Sequence, residues 1–321
     1  MVNSSLGYHS AGGSYLKGKD LLSLRDLDPS KVVALVHRAT EMKNSAPISP
    51  LAGRSVAMLF EKPSLRTRAS FDVGIYQLGG HSVYMGGQEV GLGIREPVSD
   101  VGKVLSGYVD CIVARVNSHS TLEDLALHAD IPVINALSDW EHPCQILADL
   151  QTIYENKGKL EGLTVAYVGD GNNVSRSLAL GVSSVGGHFV IASPPGYGLD
   201  EQTLNLASKQ AAVYGSKVSQ LTSVYEATAD ADVIYTDVWT SMGQEGEYDV
   251  RKRAFLGYRV DSQLIEKAAA GAIFLHPMPA HYGEEVSNDT LDHPQSVVYQ
   301  QAENRLHAQK AVLELFVASV F

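Results

Sequence analysis

Five short segments gather the side chains that could do chemistry. In Phe60-Glu61-Lys62-Pro63-Ser64-Leu65-Arg66-Thr67-Arg68 a β-rich run ends, Pro63 breaks it, and Ser64 can cap a new helix. The free N–H groups of a helix start, the Ser64 and Thr67 hydroxyls and the Arg66 guanidinium together suit a phosphate dianion. The plain alternative is a capped helix with surface arginines, although the helix dipole disfavours cations in a first turn. Trp140-Glu141-His142-Pro143-Cys144-Gln145 is a second strand-loop-helix junction. His142 and Gln145 lie three apart, so both can face one ligand; alone, His142 reads as a cap. Val168-Gly169-Asp170-Gly171-Asn172-Asn173-Val174 has the outline of a dinucleotide fingerprint, but Val174 stands where a third glycine belongs. The next strand also ends without an acidic group, which disfavours an NAD-dependent oxidoreductase. Asn172 and Asn173 suit a helix cap or a small polar ligand.

The last two segments are Thr236-Asp237-Val238-Trp239-Thr240-Ser241-Met242-Gly243 and Leu275-His276-Pro277-Met278-Pro279-Ala280-His281. Asp237 follows a strand and could cap a helix or hold an amine. The prolines around Met278 impose an extended, rigid loop, with Pro279 a candidate for a cis bond. Arg115 ends a strand and Arg305 lies in a helical stretch; each alone reads as a surface or ion-paired residue.

These segments need a frame. Apolar β-rich runs at 55–60, 81–85, 111–115, 132–136, 164–168, 188–192, 232–236 and 272–276 alternate with helical periodicity at 66–78, 98–108, 121–129, 143–155, 172–185, 201–214 and 262–270. Such alternation predicts parallel α/β sheets, with ligands beyond the carboxyl ends of the strands. Pro143 opens a well-marked helix, and Asn156-Lys157-Gly158-Lys159 closes it. That places a domain boundary near residue 155. The expected architecture is α/β, two doubly wound parallel-sheet domains of similar size joined by interdomain helices. They span 1–155 and 156–302. A final strand at 296–299 precedes a last helix, 303–321, free to pack back on the first domain.

Composition narrows the function. The chain has 321 residues, 45% of them hydrophobic, enough for two domains with buried cores. Its net charge of −11 argues against sequence-independent nucleic-acid binding, so an anionic substrate must meet a local arginine cluster. Two cysteines, Cys111 and Cys144, make neither a disulfide framework nor a zinc ligand set and fit a cytoplasmic setting. The first twenty residues lack the basic start and apolar stretch of a secretory signal. The uncharged stretch 177–199 is broken by Gly181, Gly186, Gly187, Pro194 and Pro195, so no membrane span is expected.

Taken in order over about residues 15 to 318, the segments resemble the aspartate/ornithine carbamoyltransferase family, most closely its ornithine branch. Ser64-Leu65-Arg66-Thr67-Arg68 is similar to the family's Ser-x-Arg-Thr-Arg carbamoyl-phosphate loop. His142-Pro143-Cys144-Gln145 is similar to its His-Pro-x-Gln segment. Asp237-Val238-Trp239-x-Ser241-Met242-Gly243 resembles the ornithine branch's acceptor loop. The resemblance implies transfer of a carbamoyl group from carbamoyl phosphate to ornithine, in arginine metabolism, with no metal or cofactor. It assigns carbamoyl phosphate to Ser64, Leu65, Arg66, Thr67, Arg115, His142, Gln145, Pro277, Met278 and Arg305, and ornithine to Asn173, Asp237, Ser241 and Met242. Arg66, Arg115, His142 and Asp237 would act directly in catalysis. It also implies a homotrimer or an assembly of trimers. Other amine acceptors (aspartate, putrescine, an acylated ornithine) and a non-catalytic carbamoyl-phosphate-binding homologue are the alternatives. The chain departs from the ornithine branch at Pro277, where a cysteine is usual, and at Gly91, where a Gln or His often reaches a neighbouring subunit; Gln88 and His119 are candidate substitutes.

Overall fold

A computed structural model describes residues 16–241 and 243–318. Twelve α-helices and nine strands are formed among them. The first half runs α1 (Pro29–Asn44), β1 (Ser55–Phe60), α2 (Leu65–Gln77), β2 (His81–Gly86), α3 (Gly87–Val90), α4 (Val98–Ser106), β3 (Cys111–Arg115), α5 (His119–His128), β4 (Val133–Leu137) and α6 (Pro143–Lys157). The second runs β5 (Thr164–Val168), α7 (Asn173–Ser184), β6 (His188–Ala192), α8 (Glu201–Ala212), β7 (Val218–Leu221), α9 (Val224–Thr228), β8 (Val233–Thr236), α10 (Tyr248–Ala254), α11 (Ser262–Glu266) and β9 (Ile273–Leu275). The long α12 (Val298–Val317) follows.

The strands form two all-parallel sheets, in the orders β2-β1-β3-β4 and β7-β6-β5-β8-β9. In each, the chain winds to one side of its first strand and then crosses to the other. The crossover makes a switch point, between β1 and β3 in one sheet and between β5 and β8 in the other. Adjacent loops diverge there and leave a crevice for a ligand.

Covered on both faces, the central strands are largely apolar, and all five residues of β3 are buried, its terminal Arg115 included. One cluster lies under α4 and α5. A larger one runs without a break from Val56 and Met58 of β1, through Ile146 and Leu150 of α6, to Val165 and Tyr167 of β5. The helix α6 is therefore buried on every side from Pro143 to Ile153 and couples the two sheets. A fully buried Ile or Leu contributes roughly 1.5–3 kcal/mol. Gly181 of α7 allows this closeness, because a Cβ there would lie 2.5 Å from Ile146. Gly158, in a left-handed conformation, ends α6.

Some expectations are corrected. Residues 296–299 form no strand: Ser296 makes one isolated bridge to Phe274, and Val298 already opens α12. Its β-branched residues are too few to propagate a strand, and the helix formers Gln300, Gln301 and Ala302 follow at once. α12 packs on α1, α2 and α6 of the first half. The helix expected at 262–270 stops at Glu266. α1 was legible from Asp28 as cap, Pro29 at its first position and Val32, Leu35, Val36 and Ala39 on one face, but was not assigned. β7 is a half-exposed edge strand, Val-Ser-Gln-Leu, without a strong apolar signal.

Candidate active site

The two switch points face one cleft of about 1050 Å³ between the sheets. The first half supplies one wall. Ser64 caps α2 by accepting from the N–H of Thr67 at 3.3 Å. Arg66 and Thr67 stand in the first turn of that helix, Arg115 ends β3, and Arg305 reaches across from α12 to donate to Thr67 Oγ1 at 2.8 Å. His142 and Gln145 open α6. Ser64, Leu65, Arg66, Thr67, Arg115, His142, Gln145 and Arg305 all line the cleft.

This wall is electrostatically unusual. Among the described residues, Arg66, Arg115 and Arg305 form no ion pair with a carboxylate. Burial, with the neighbouring Arg305 and Arg66, lowers the Arg115 pKa to about 10. Burial does the same for Arg305, also to about 10. The Nε atoms of both are buried without a hydrogen-bond partner. Three crowded cations, two of them buried and none in contact with a carboxylate, make a strong anion site. Burial and the arginines also hold His142 well below the ordinary imidazole pKa, so it is neutral at physiological pH. Its backbone N–H is fixed by Ser177 Oγ at 2.8 Å.

The second half supplies a wall of opposite character. Asp237 directly follows β8 and is buried; its Oδ2 accepts from Asn172 Nδ2 at 2.9 Å. Asn172 also caps α7 by accepting from Val174 and Ser175. Asn173 donates to the Ser138 carbonyl at 2.7 Å, tying this wall to the first half. Burial raises the Asp237 pKa. Ser241, Pro277 and Met278 line the same cleft, while Met242 lies outside the described residues. Met278 has φ 57° and precedes a cis bond to Pro279. Its N–H donates to His276 Nδ1 at 2.9 Å, and His276 Nε2 lies 3.1 Å from buried Glu285 Oε1. That packing holds a non-glycine residue in the left-handed region, at a cost of order 1–3 kcal/mol.

The expected site residues that the structure describes all line this cleft; Gly91 and its two candidate substitutes do not. Gly91 caps α3 at φ 59°, where a Cβ would stand 2.9 Å from that of Arg95, so glycine is required by the local turn. Gln88 is exposed on α3, and His119 is packed against Ser138; neither lines the cleft. Sequence reading missed Arg251 of α10. It bonds Asp170 at 3.0 Å, Glu247 at 2.8 Å and the Trp239 carbonyl at 3.2 Å, and so anchors the acceptor-side loop. No spacing in the sequence links it to β5.

Comparison with known proteins resolves the family. Residues 19–155 match the aspartate/ornithine carbamoyltransferase, carbamoyl-P binding domain, and 161–316 match the Asp/Orn binding domain. The chain belongs to the aspartate/ornithine carbamoyltransferase family. It is 48% identical to the ornithine carbamoyltransferase of Thermococcus kodakarensis over 95% of this chain and 98% of that one. It is 47% identical to the anabolic ornithine carbamoyltransferase of Pyrococcus furiosus, again over 95% and 98%. The solved structure of the Pyrococcus furiosus ornithine carbamoyltransferase superposes with a TM-score of 0.92 at 46% identity, over 95% of this chain and 99% of that one. The family's two halves meet at the cleft described above.

Proposed function

We propose that this chain transfers the carbamoyl group of carbamoyl phosphate to the δ-amine of L-ornithine, giving L-citrulline and phosphate. One observation carries the reading: three guanidinium groups without carboxylate partners on one wall face a buried carboxylate, Asp237, on the other. A dianionic donor and an ammonium-bearing acceptor fit that polarity. The similarity to proteins named ornithine carbamoyltransferase supports ornithine as the acceptor, and the relative named anabolic supports the biosynthetic direction.

The donor's phosphate takes the α2 start at Ser64, Leu65, Arg66 and Thr67, with Arg66 and Arg115 neutralising it. Arg305, Thr67 and neutral His142 polarise the carbamoyl oxygen, and Gln145 with the Pro277 and Met278 carbonyls accepts from its NH2. Each well-placed donor to the developing oxyanion is worth about 3 kcal/mol. Asp237, Asn173, Ser241 and Met242 hold ornithine. Its δ-amine, with a pKa of about 10.4 when free, must lose a proton before attack. The new C–N bond forms as the C–O bond to phosphate breaks, and the departing phosphate takes the proton. Alignment of two bound reactants supplies much of the remaining rate. The division into a donor domain, 1–155, and an acceptor domain, 156–302, with α12 on the former, goes with this reading. A homotrimer and a cytoplasmic setting are part of the same proposal. Among the described residues no helix is long and apolar enough to cross a membrane.

The test is product analysis with carbamoyl phosphate and ornithine, aspartate, putrescine or N-acetylornithine. Citrulline from ornithine, with the other acceptors at least about a hundred-fold slower, is the expected result. Preference for another acceptor would overturn the assignment.

A further inference from the structure

A buried carboxylate behind the cleft has no place in the mechanism above. Asp149 lies one turn beyond Gln145 on α6, is fully buried and does not line the cleft. Its Oδ1 accepts from Gln145 Nε2 and from Gln301 Nε2, each at 2.8 Å. Its Oδ2 accepts from the Tyr235 hydroxyl at 2.8 Å. Gln301 in turn accepts from the N–H of His276 at 2.8 Å through Oε1, and His276 accepts from the N–H of Met278. One carboxylate thus ties α6, β8 and α12 to the His276–Met278 loop.

The chemistry of the group fixes an orientation. An ionised carboxylate only accepts hydrogen bonds, so the Gln145 amide must turn its NH2 end to Asp149 and its oxygen away. Gln145 lines the cleft, and its Oε1 is buried without a hydrogen-bond partner. We propose that Asp149 is a positioning residue that keeps Gln145 Oε1 available as the acceptor recognising the NH2 of the carbamoyl donor. Through Gln301 it also steadies the Pro277–Met278 loop, so both acceptors for that NH2 depend on the same carboxylate. The inference rests on carbamoyl phosphate being the donor.

Acetyl phosphate, with a methyl group in place of the NH2, keeps the phosphate and removes the contacts of that NH2, all of which depend on Asp149 in this proposal. Dissociation constants for the two phosphates are measured by calorimetry on the intact protein, without acceptor. The unmodified protein should prefer carbamoyl phosphate by at least about five- to ten-fold, since one hydrogen bond alone is worth that much. Asp149→Leu, which fills the space and removes the acceptor, should reduce the preference to about two-fold or less. Asp149→Asn should keep it, because an amide oxygen can still face both glutamines while its NH2 faces the Tyr235 hydroxyl. A ratio unchanged in folded Asp149→Leu overturns this inference alone. Failure of the unmodified protein to bind carbamoyl phosphate ends the parent reading and this one with it. Should Asp149→Leu not fold, a crystal structure of the unmodified protein with carbamoyl phosphate decides. A Gln145 amide within hydrogen-bond distance of both the carbamoyl nitrogen and Asp149 supports the proposal, and an amide that leaves Asp149 or lies beyond hydrogen-bond distance of that nitrogen overturns it.

Discussion

Replacing Arg115 by methionine should make the protein more stable while weakening its hold on the donor. The arginine is 5% exposed, and burial with two neighbouring cations lowers its pKa from the ordinary guanidinium range to about 10. At about 1.4 kcal/mol per pKa unit, keeping it charged in the folded state costs about 3 kcal/mol. A base whose folded pKa lies below its unfolded value is destabilising as long as it stays protonated. The penalty is therefore present in full at neutral pH and fades as pH rises through 10. Methionine keeps most of the aliphatic volume, and no side chain loses a hydrogen-bond partner, since Arg115 Nε has none. After screening, a gain of about 1–3 kcal/mol remains, or about 3–8 °C in melting temperature. The assay is thermal unfolding at pH 7.5 with and without carbamoyl phosphate. Without ligand the variant should melt higher. With ligand at about a hundred times the unmodified protein's Kd, the unmodified protein should gain about 2.7 kcal/mol and the variant almost nothing. A variant that melts lower without ligand, or shows an undiminished ligand response, would refute the view of Arg115 as a cation stored for an anion.

Three further outcomes follow from the same geometry. Arg66→Ala should lower kcat/KM by about 10²–10³-fold with the melting temperature nearly unchanged, because the side chain borders the cleft and not the core; near-normal citrulline formation would remove Arg66 from the site. Asp237→Asn should raise KM for ornithine and cut kcat/KM by about 10²-fold while leaving carbamoyl phosphate affinity intact, and an equal loss for both substrates would contradict its place on the acceptor wall. From pH 7 to 9, kcat/KM for ornithine should climb about ten-fold per pH unit, following the free amine. His142, neutral throughout that range, should contribute no inflection. A flat profile would contradict attack by the unprotonated amine.

Much of this site is legible in the sequence, because its residues sit where strands hand over to helices. Pro63-Ser64 and His142-Pro143 mark helix starts by local chemistry alone, and both starts open onto the cleft. All eight strands expected between residues 55 and 276 match the structure to within a residue at each end, because parallel strands are buried on both faces and read as apolar runs, and β1, β3, β5 and β6 match at both ends. What the sequence concealed is non-local. Arg305 joins Thr67 from 238 positions away, and Asp149 meets Gln301 across 152. Neither pairing leaves a periodic trace. Gln145 and Asp149 do stand one helical turn apart, which points to contact, but nothing local shows that the pair is buried behind a ligand site. Residues 296–299 mislead because three β-prone residues, Val297, Val298 and Tyr299, stand where a helix already begins.

The whole scheme turns on where the donor's phosphorus lies. A crystal structure with phosphonoacetyl-ornithine, which joins both substrates in one molecule, measures that position directly. The expected result places the phosphonate oxygens within hydrogen-bond distance of Ser64, Arg66, Thr67 and Arg115, with the amino-acid end beside Asp237. A phosphonate bound away from the three arginines, or an amino-acid end turned toward them, would contradict it.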